Sequence, residues 1–403
     1  MPETRVSIRR HILLTTSALT FALSAIANAQ AADDVLKLGA LGVMSGPYAG
    51  WGGVMSQTAQ TLAAIYNDQG GIEIGDRTYS IEVISVDTKA DPRTAVTGAE
   101  RLVNEDSVKF ILGPNVDTTA ASVKPVLEAA NAMNVPYAFS KDLYTPPASN
   151  SILGMVASYQ VAPFIYEYLR DNEGVQKISF LAANAADPLN QRAEALPIAE
   201  ALGLEIVASD DTYEPGATDF FPIVTKVLSA EPDLIVLSGV SPSDAGPLIR
   251  TARELGYEGF LSTETGQDPS AIYEVAGDAA NGFIAAGGAS TESIRSDFMV
   301  EFIERYTDMW GEWNDVAALF VYAPEIILQT LKAAGPEAID DVDVFKTALE
   351  DFDGSNPFVN NDMALSYVGE VDFGQKRQIS VPIVVQTIEE GEFTPLFVTS
   401  MAE

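Results

Sequence analysis

Short apolar runs alternate with amphipathic segments along most of the 403-residue chain. The runs have the length and β-branched content of buried strands, and the segments between them have helical periodicity. In the segment "DPRTAVTGAERLVNED", Asp91 is a good N-cap and Pro92 suits the first helical position. Strands joined through helices need crossover connections, so the pattern predicts a parallel sheet with helices on both faces. In this first series, strands are predicted at 35–43, 79–87, 108–114 and 135–140, and helices at 91–106 and 118–134.

A second series of the same kind follows. After it come two long helices, 296–310 and 315–335, and a strand-rich tail that runs from "GEVDF" (369–373) to "FTPLFV" (393–398). A chain of this length exceeds what one core usually supports, so two lobes are expected. The strands of the second series are predicted at 176–184, 204–213, 233–240 and 260–264, and its helices at 188–203, 219–231 and 244–256.

No Gly/Ser-rich linker separates the two series, which favours a hinge of ordered strands over a flexible tether. We expect residues 35–155 with about 288–360 to form lobe 1. Residues 156–287 with about 361–403 should form lobe 2.

Polar and small residues collect directly after the predicted strands of both series. Ligands of open parallel sheets bind beyond the carboxyl ends of the strands. Two such edges facing each other would enclose a cleft, in which Tyr48 and Trp51 would be walls covered by a ligand rather than by the core. The loops concerned are "SGPYAGWG", "GPNVDTT" and "SKDLYTPP" in the first series, and "ANAADP", "GVSPSD" and "STETG" in the second.

The first 29 residues have the three-part form of a secretory signal peptide. Three arginines precede residue 11, an apolar run covers 12–26, and "ANA" (27–29) supplies small residues for cleavage, with "AQA" (29–31) as an alternative. The apolar run is too short to span about 30 Å of hydrocarbon. We therefore expect export to the periplasm, with no membrane insertion of the mature chain.

Composition excludes several kinds of site. There is no cysteine, and the one histidine, His11, lies inside the predicted signal. The mature chain therefore cannot contain a Ser–His–Asp triad, a cysteine nucleophile or a zinc site of imidazole and thiolate ligands. Carboxylate acid–base chemistry, lysine chemistry and an oxygen-ligand metal remain possible in principle, but "DFDGSN" (351–356) lacks the spacing of a calcium loop. We predict neither a metal nor a cofactor.

Charge limits the partners. Without the three arginines and one glutamate of the signal, the net charge is about −36. Such a chain repels phosphate backbones and anionic lipid, so nucleic acid and membrane surfaces are poor partners.

Several segments together resemble the leucine/isoleucine/valine-type binding proteins of ABC transporters. They include "KLGALGVMSGPYAGWGGVMSQTAQTLAAIYNDQGGI", "DTKADPRTAVTGAERLVNEDSVKFILGP", "ADPLNQRAEALPIAEALG", "LSGVSPSDAGPLIRTARELGY" and "GEVDFGQKRQ", in order along nearly the whole mature chain. The resemblance implies a type I periplasmic binding fold: two Rossmann-like α/β lobes joined by three strand crossovers. It also implies a small solute held between the lobes and an inner-membrane ABC permease as partner.

Carried over residue by residue, the resemblance implies that Trp51 covers the ligand and that Glu264 binds its ammonium. The loop that should hold the ligand's carboxylate has Asp117 where the family has a hydroxyl, and two carboxylates repel each other unless a cation or a proton intervenes. Lys141 aligns near the other carboxylate-binding loop and could be that cation, or it could pair with Asp117 or Asp142. Asp187 and Val240 stand where the family often has tyrosine.

The sequence thus predicts a periplasmic solute-binding protein, not an enzyme, for an amino acid or a related compound. An amide, a cationic solute, a polyol or an aromatic compound remains an alternative ligand, as do a sensing receptor and an exported carboxylate-based hydrolase. A dinucleotide enzyme is disfavoured because "SGPYAGWGG" lacks the G-x-G-x-x-G spacing. The predicted ligand-binding residues are Tyr48, Trp51, Asn115, Asp117, Thr118, Ser140, Lys141, Asp187, Glu264 and Tyr322.

Overall fold

A mainly parallel sheet of five strands forms the first lobe in the computed structural model, which describes residues 34–148, 150–360 and 363–401. In the order β2-β3-β1-β4-β5, β1 pairs in parallel with β3 and β4, and β2 forms a hairpin with β3. The strands are β1 (Asp34–Gly42), β2 (Ile72–Ile74), β3 (Arg77–Asp87), β4 (Phe110–Leu112) and β5 (Met133–Val135). The helices along this part of the chain are α1 (Ala49–Asp68), α2 (Pro92–Asn104) and α3 (Asp117–Ala129).

The predicted start of α2 is confirmed, because the Asp91 side chain accepts the N–H of Thr94 at 2.8 Å and Pro92 is the first helical residue.

The second lobe is built on a seven-stranded sheet in the order β15-β14-β10-β9-β8-β6-β7. The neighbouring strands β7, β6, β8, β9 and β10 pair in parallel, whereas β14 pairs antiparallel with both β10 and β15. Its first strands are β6 (Lys177–Ala183), β7 (Glu205–Tyr213), β8 (Leu234–Ser238), β9 (Phe260–Gly266) and β10 (Phe283–Gly287). A small sheet of β11 (Asp353–Gly354), β12 (Leu365–Val368) and β13 (Gln378–Ile379) precedes β14 (Pro382–Glu389) and β15 (Glu392–Ser400).

The helices that follow α3 are α4 (Ser158–Glu173), α5 (Ala186–Ala201), α6 (Phe221–Leu228), α7 (Pro242–Glu254), α8 (Pro269–Ala276), α9 (Asp297–Trp310), α10 (Ala317–Phe320), α11 (Tyr322–Ala334), α12 (Glu337–Asp340), α13 (Val342–Leu349) and α14 (Glu370–Phe373). Single 3₁₀ turns lie at Lys141–Leu143 and Gly277–Ala280.

The chain passes between the two sheets three times. The first passage follows β5 and leads to helix α4, which packs on β9 and β14. The second follows β10 and leads to helices α9, α10 and α11, which pack on α1. The third returns the chain to the larger sheet through β14. The first and third passages are joined where Leu153 N–H donates to Arg377 O at 2.9 Å and Ile379 N–H donates to Leu153 O at 3.0 Å. The α/β fold of two lobes with an ordered hinge is therefore as predicted, whereas the residue boundaries of the lobes stay a prediction.

Three element predictions are wrong. The helix predicted at 118–134 ends at Ala129, because Asn131 adopts a left-handed φ of 46° and stops it. The strand predicted at 135–140 lies instead at Met133–Val135, in register with β4. "GEVDF" is a single helical turn between Gly369 and Gly374, whose φ angles of 116° and 72° turn the chain at both ends.

The segment Ala317–Ala334 is long and apolar enough to cross a membrane by composition, but 78% of it is buried inside the fold. It contributes to the largest hydrophobic cluster, together with α1 and the five-stranded sheet, and so serves as core. The predicted signal peptide, residues 1–29, lies outside the described residues.

Candidate functional site

The loop from β1 to α1 places two aromatic rings at the carboxyl edge of the first sheet. Glycine at position 52 lets helix α1 begin directly against the end of β1. Any other residue would place a Cβ 2.3 Å from the carbonyl oxygen of Val43. The rings of Tyr48 and Trp51 stack, with centroids 5.5 Å apart and planes inclined by 21°. Both rings are half-buried there, and Trp51 also packs against the edge of the main hydrophobic cluster.

Trp51 reaches the opposite lobe. Its indole N–H donates to the carbonyl oxygen of Gly266 at 3.4 Å, at the end of β9. The structure thus brings the Trp51 turn and the strand end that contains Glu264 to the same cleft.

Both lobes line an inner cavity at this contact. Its volume is about 50 Å³, which is room for a few water molecules in this arrangement of the lobes. Four predicted residues line it: Tyr48, Trp51, Asn115 and Asp187. The other main contributors are Tyr137, Phe139, Met155, Gln191, Thr265, Gly266, Val316, Leu319 and Phe320. No lysine or arginine belongs to this described lining.

Asp187 spans the cleft. It lies in the first turn of α5, and its carboxylate accepts the backbone N–H of Asp117, which begins α3 in the other lobe. A helix start has unpaired N–H groups, so an acidic side chain stabilises it. The pKa of Asp187 is raised from its usual 3.8 to about 7, chiefly by burial and then by the charge of Asp117.

Asp117 holds the loop after β5 rather than facing the inner cavity. Its Oδ1 accepts the N–H groups of Phe139 at 2.7 Å and Ser140 at 3.0 Å. It lines a second, more open outer cavity of about 440 Å³, defined by the same measure, together with Ser140 and Lys141. Phe139 and Gln191 belong to both linings and therefore separate the two cavities.

Lys141 has partners other than the two foreseen. Its ammonium lies 3.2 Å from Asp372 and 4.3 Å from the ring centroid of Tyr159. The structure therefore shows it paired with Asp372, not with Asp117 or Asp142.

Three further predicted residues line neither cavity. Thr118 is exposed on α3. Glu264 is buried inside the second lobe, where it accepts the hydroxyl of Tyr166, and burial raises its pKa from 4.5 to about 7. Tyr322 is buried on α11 and packs edge-on against Phe358, with ring centroids 5.9 Å apart.

Four polar side-chain atoms of the inner lining are buried and have no hydrogen-bond partner among the described residues. They are the hydroxyls of Tyr48 and Tyr137 and the amide oxygens of Asn115 and Gln191. Buried polar groups in folded proteins are nearly always paired, so such a cluster in a cleft marks a place where a ligand supplies the missing partners.

Sequence reasoning missed most of the apolar lining. Tyr137 and Phe139 follow β5, and their position after a strand was a usable signal that the misplaced strand 135–140 concealed. Val316, Leu319 and Phe320 had no signal, because their segment reads as an ordinary buried helix. Within the described residues, no three acidic or histidine side chains come together as a metal site.

Comparisons with known proteins agree on one family. The model of the periplasmic binding protein family matches residues 35–391. A Leu/Ile/Val-binding protein of Rhizobium johnstonii is 25% identical over 84% of this chain and 90% of its own length. The isoleucine complex of a branched-chain amino acid transporter substrate-binding protein from Streptococcus pneumoniae superposes with a TM-score of 0.77 at 20% identity, covering 91% of this chain and 99% of the other. A benzoate complex of an R. palustris solute-binding protein gives 0.76 at 16% identity, covering 92% and 98%.

Proposed function

This chain belongs to the periplasmic binding protein family, and from that premise we propose that it captures a small solute between its lobes and delivers it to an ABC permease of the inner membrane. Membership of this family supports a periplasmic location, and we propose that residues 1–29 are the export signal. Amino-acid and benzoate binding by the relatives supports a small organic solute as ligand.

The observation that carries this proposal is the inner cavity, which both lobes build and which contains buried, unpartnered polar atoms. A solute that touches both linings favours the closed arrangement by its extra contacts. Closure, rather than chemistry, is then the event that a permease recognises.

A thermal-shift screen of amino acids, amides, amines and aromatic acids tests the proposal, because a bound ligand raises apparent stability by mass action. We expect at least one class to raise the melting temperature, and small-angle scattering of the saturated protein to show compaction. No stabilisation by any class, or stabilisation with unchanged dimensions, would contradict solute capture by closure.

The same samples test for enzymatic activity. The family relatives are solute-binding proteins, and we propose that this chain likewise leaves its ligand unchanged. The inner lining supports this, since Asp187 is the single carboxylate among its described residues and a hydrolase of the two-carboxylate kind needs a pair. Conversion of any stabilising compound on incubation would overturn this part of the proposal.

A further inference from the structure

We propose that the inner cavity selects a single aromatic ring that carries a protonated amine and no carboxylate. This inference rests on the proposed function and names the solute class of the same site. It excludes, as preferred ligands, both the zwitterionic amino acids and the aromatic acids that the relatives bind.

Two aromatic pairs give the cavity its shape. Tyr48 stacks on Trp51, and Tyr137 meets Phe320 edge-on with centroids 4.5 Å apart and planes at 71°. All four rings line the same cavity, and exposed aromatic faces and edges attract a further ring. The same faces attract a cation, most strongly where it is withdrawn from water.

The charge around the cavity has one sign. Asp187 is the one acidic or basic side chain in the described lining, and burial followed by the nearby carboxyls of Asp187 and Asp244 raises the pKa of Tyr48 to about 12. Lys141 lies in the outer cavity and is engaged by Asp372 and Tyr159. A carboxylate in the inner cavity would therefore be buried beside the Asp187 carboxyl with no cation among the described lining residues, so Asp187 would have to take up a proton to accept it, whereas an ammonium favours the ionised form of Asp187.

The unpartnered polar atoms are rich in acceptors. The amide oxygens of Asn115 and Gln191 belong to side chains that are 8% and 9% exposed, and they have no partner among the described residues. The Asn115 amide nitrogen lies 3.6 Å from Met55 Sδ, whereas the amide oxygen has no partner among the described residues. An ammonium offers three donors and no acceptor.

Asp187 can accept from such a solute without releasing its present partner. A carboxylate accepts about four hydrogen bonds, and the backbone N–H of Asp117 occupies one of these positions. Solute binding would then add a charge-assisted hydrogen bond to the contact that already joins the lobes.

The test is calorimetry on the full mature chain with matched probes: 2-phenylethylamine, 3-phenylpropionate, benzoate and L-leucine. We expect the amine to bind at least tenfold more tightly than each carboxylate-bearing probe. Asp187→Asn keeps an acceptor for Asp117 but removes the charge, and we expect it to weaken amine binding at least tenfold. Asp210→Asn, an exposed change of the same kind on β7, should leave the affinity unchanged.

Tighter binding of benzoate or leucine than of the amine, or an amine affinity that Asp187→Asn leaves unchanged, overturns this inference while the proposed function stands. If no compound of a broad screen stabilises the chain, the proposed function fails and the inference fails with it. If Asp187→Asn prevents folding, the comparison of the amine with 3-phenylpropionate on the unmodified chain decides alone.

Discussion

The substitution Glu264→Gln should remove a defined part of the pH dependence of stability. Glu264 is 2% exposed, it accepts the Tyr166 hydroxyl, and its second carboxylate oxygen has no partner among the described residues. Burial disfavours the ionised form and raises the pKa from 4.5 to about 7. Below the usual pKa the group is protonated in both the folded and the unfolded chain. As the pH rises toward 7 only the unfolded chain loses the proton freely, so stability falls.

The magnitude follows from the two pKa values. Between pH 5 and pH 8 the linked free energy of unfolding falls by about 2–3 kcal/mol. Glutamine resembles the protonated carboxyl at every pH and does not titrate. From pH 5 to pH 8, the free energy of unfolding of Glu264→Gln should therefore rise relative to that of the unmodified chain by about 2–3 kcal/mol, whatever constant cost the substitution has.

Denaturant unfolding at pH 5 and pH 8, followed by circular dichroism, measures the effect. Asp187 and Asp268 also have raised pKa values, of about 7 and about 6, but both are present in either protein and cancel in the comparison. Glu200→Gln, an exposed change on α5, is the matched control and should show no such gain. A difference between Glu264→Gln and the unmodified chain that is equal at both pH values within about 0.5 kcal/mol would refute the reasoning.

Three further predictions concern the cleft and its support. Trp51→Ala should weaken solute binding by at least ~1 kcal/mol, because it removes the stacked ring and the N–H contact to Gly266; an unchanged calorimetric affinity would argue against Trp51 as a ligand contact. Gly52→Ala should destabilise the fold by about 1–3 kcal/mol because its Cβ meets the Val43 backbone, whereas Gly53→Ala, with no atom near its Cβ, should be neutral or slightly stabilising; equal melting temperatures would contradict this. Lys141→Met should cost at most about 1 kcal/mol of stability, since its bridge to Asp372 is partly exposed, and a larger loss in denaturant unfolding would show that the bridge is structural.

The sequence was enough for the architecture because strand and helix periodicity is local. The Asp91 cap, the crossovers and the loops after the strands all follow from residues close together in the chain. The errors arose where one residue overrides the pattern, as with the left-handed Asn131 that ends α3 early.

The candidate site was only partly predictable. Tyr48 and Trp51 were predictable because two large rings in a glycine-rich turn directly after a strand indicated the wall of a cleft. Phe320 and Leu319 reach the same cavity from a helix more than 250 residues away, and no local pattern separates them from core residues. The partners of Lys141 and Glu264 could not be predicted either. Asp372 and Tyr166 are distant in sequence and come into contact with them only in the folded chain.

Closure around a solute can be tested most directly with a cross-link, because the chain has no cysteine of its own. A Cβ at Gly50, in α1, would lie 3.0 Å from Cβ of Pro242, which begins α7 in the other lobe. The Cβ atoms of a disulfide lie roughly 3.5–4.5 Å apart, so Gly50→Cys with Pro242→Cys can join the lobes once the two backbones move apart by about half an ångström.

The measurement is the rate of disulfide formation in this double variant, with and without a solute from the thermal-shift screen. We predict that the solute accelerates cross-linking several-fold, and that the chain oxidised without solute binds none until a reductant is added. A rate that does not respond to the solute, together with full binding by the oxidised chain, would contradict capture by closure of the two lobes.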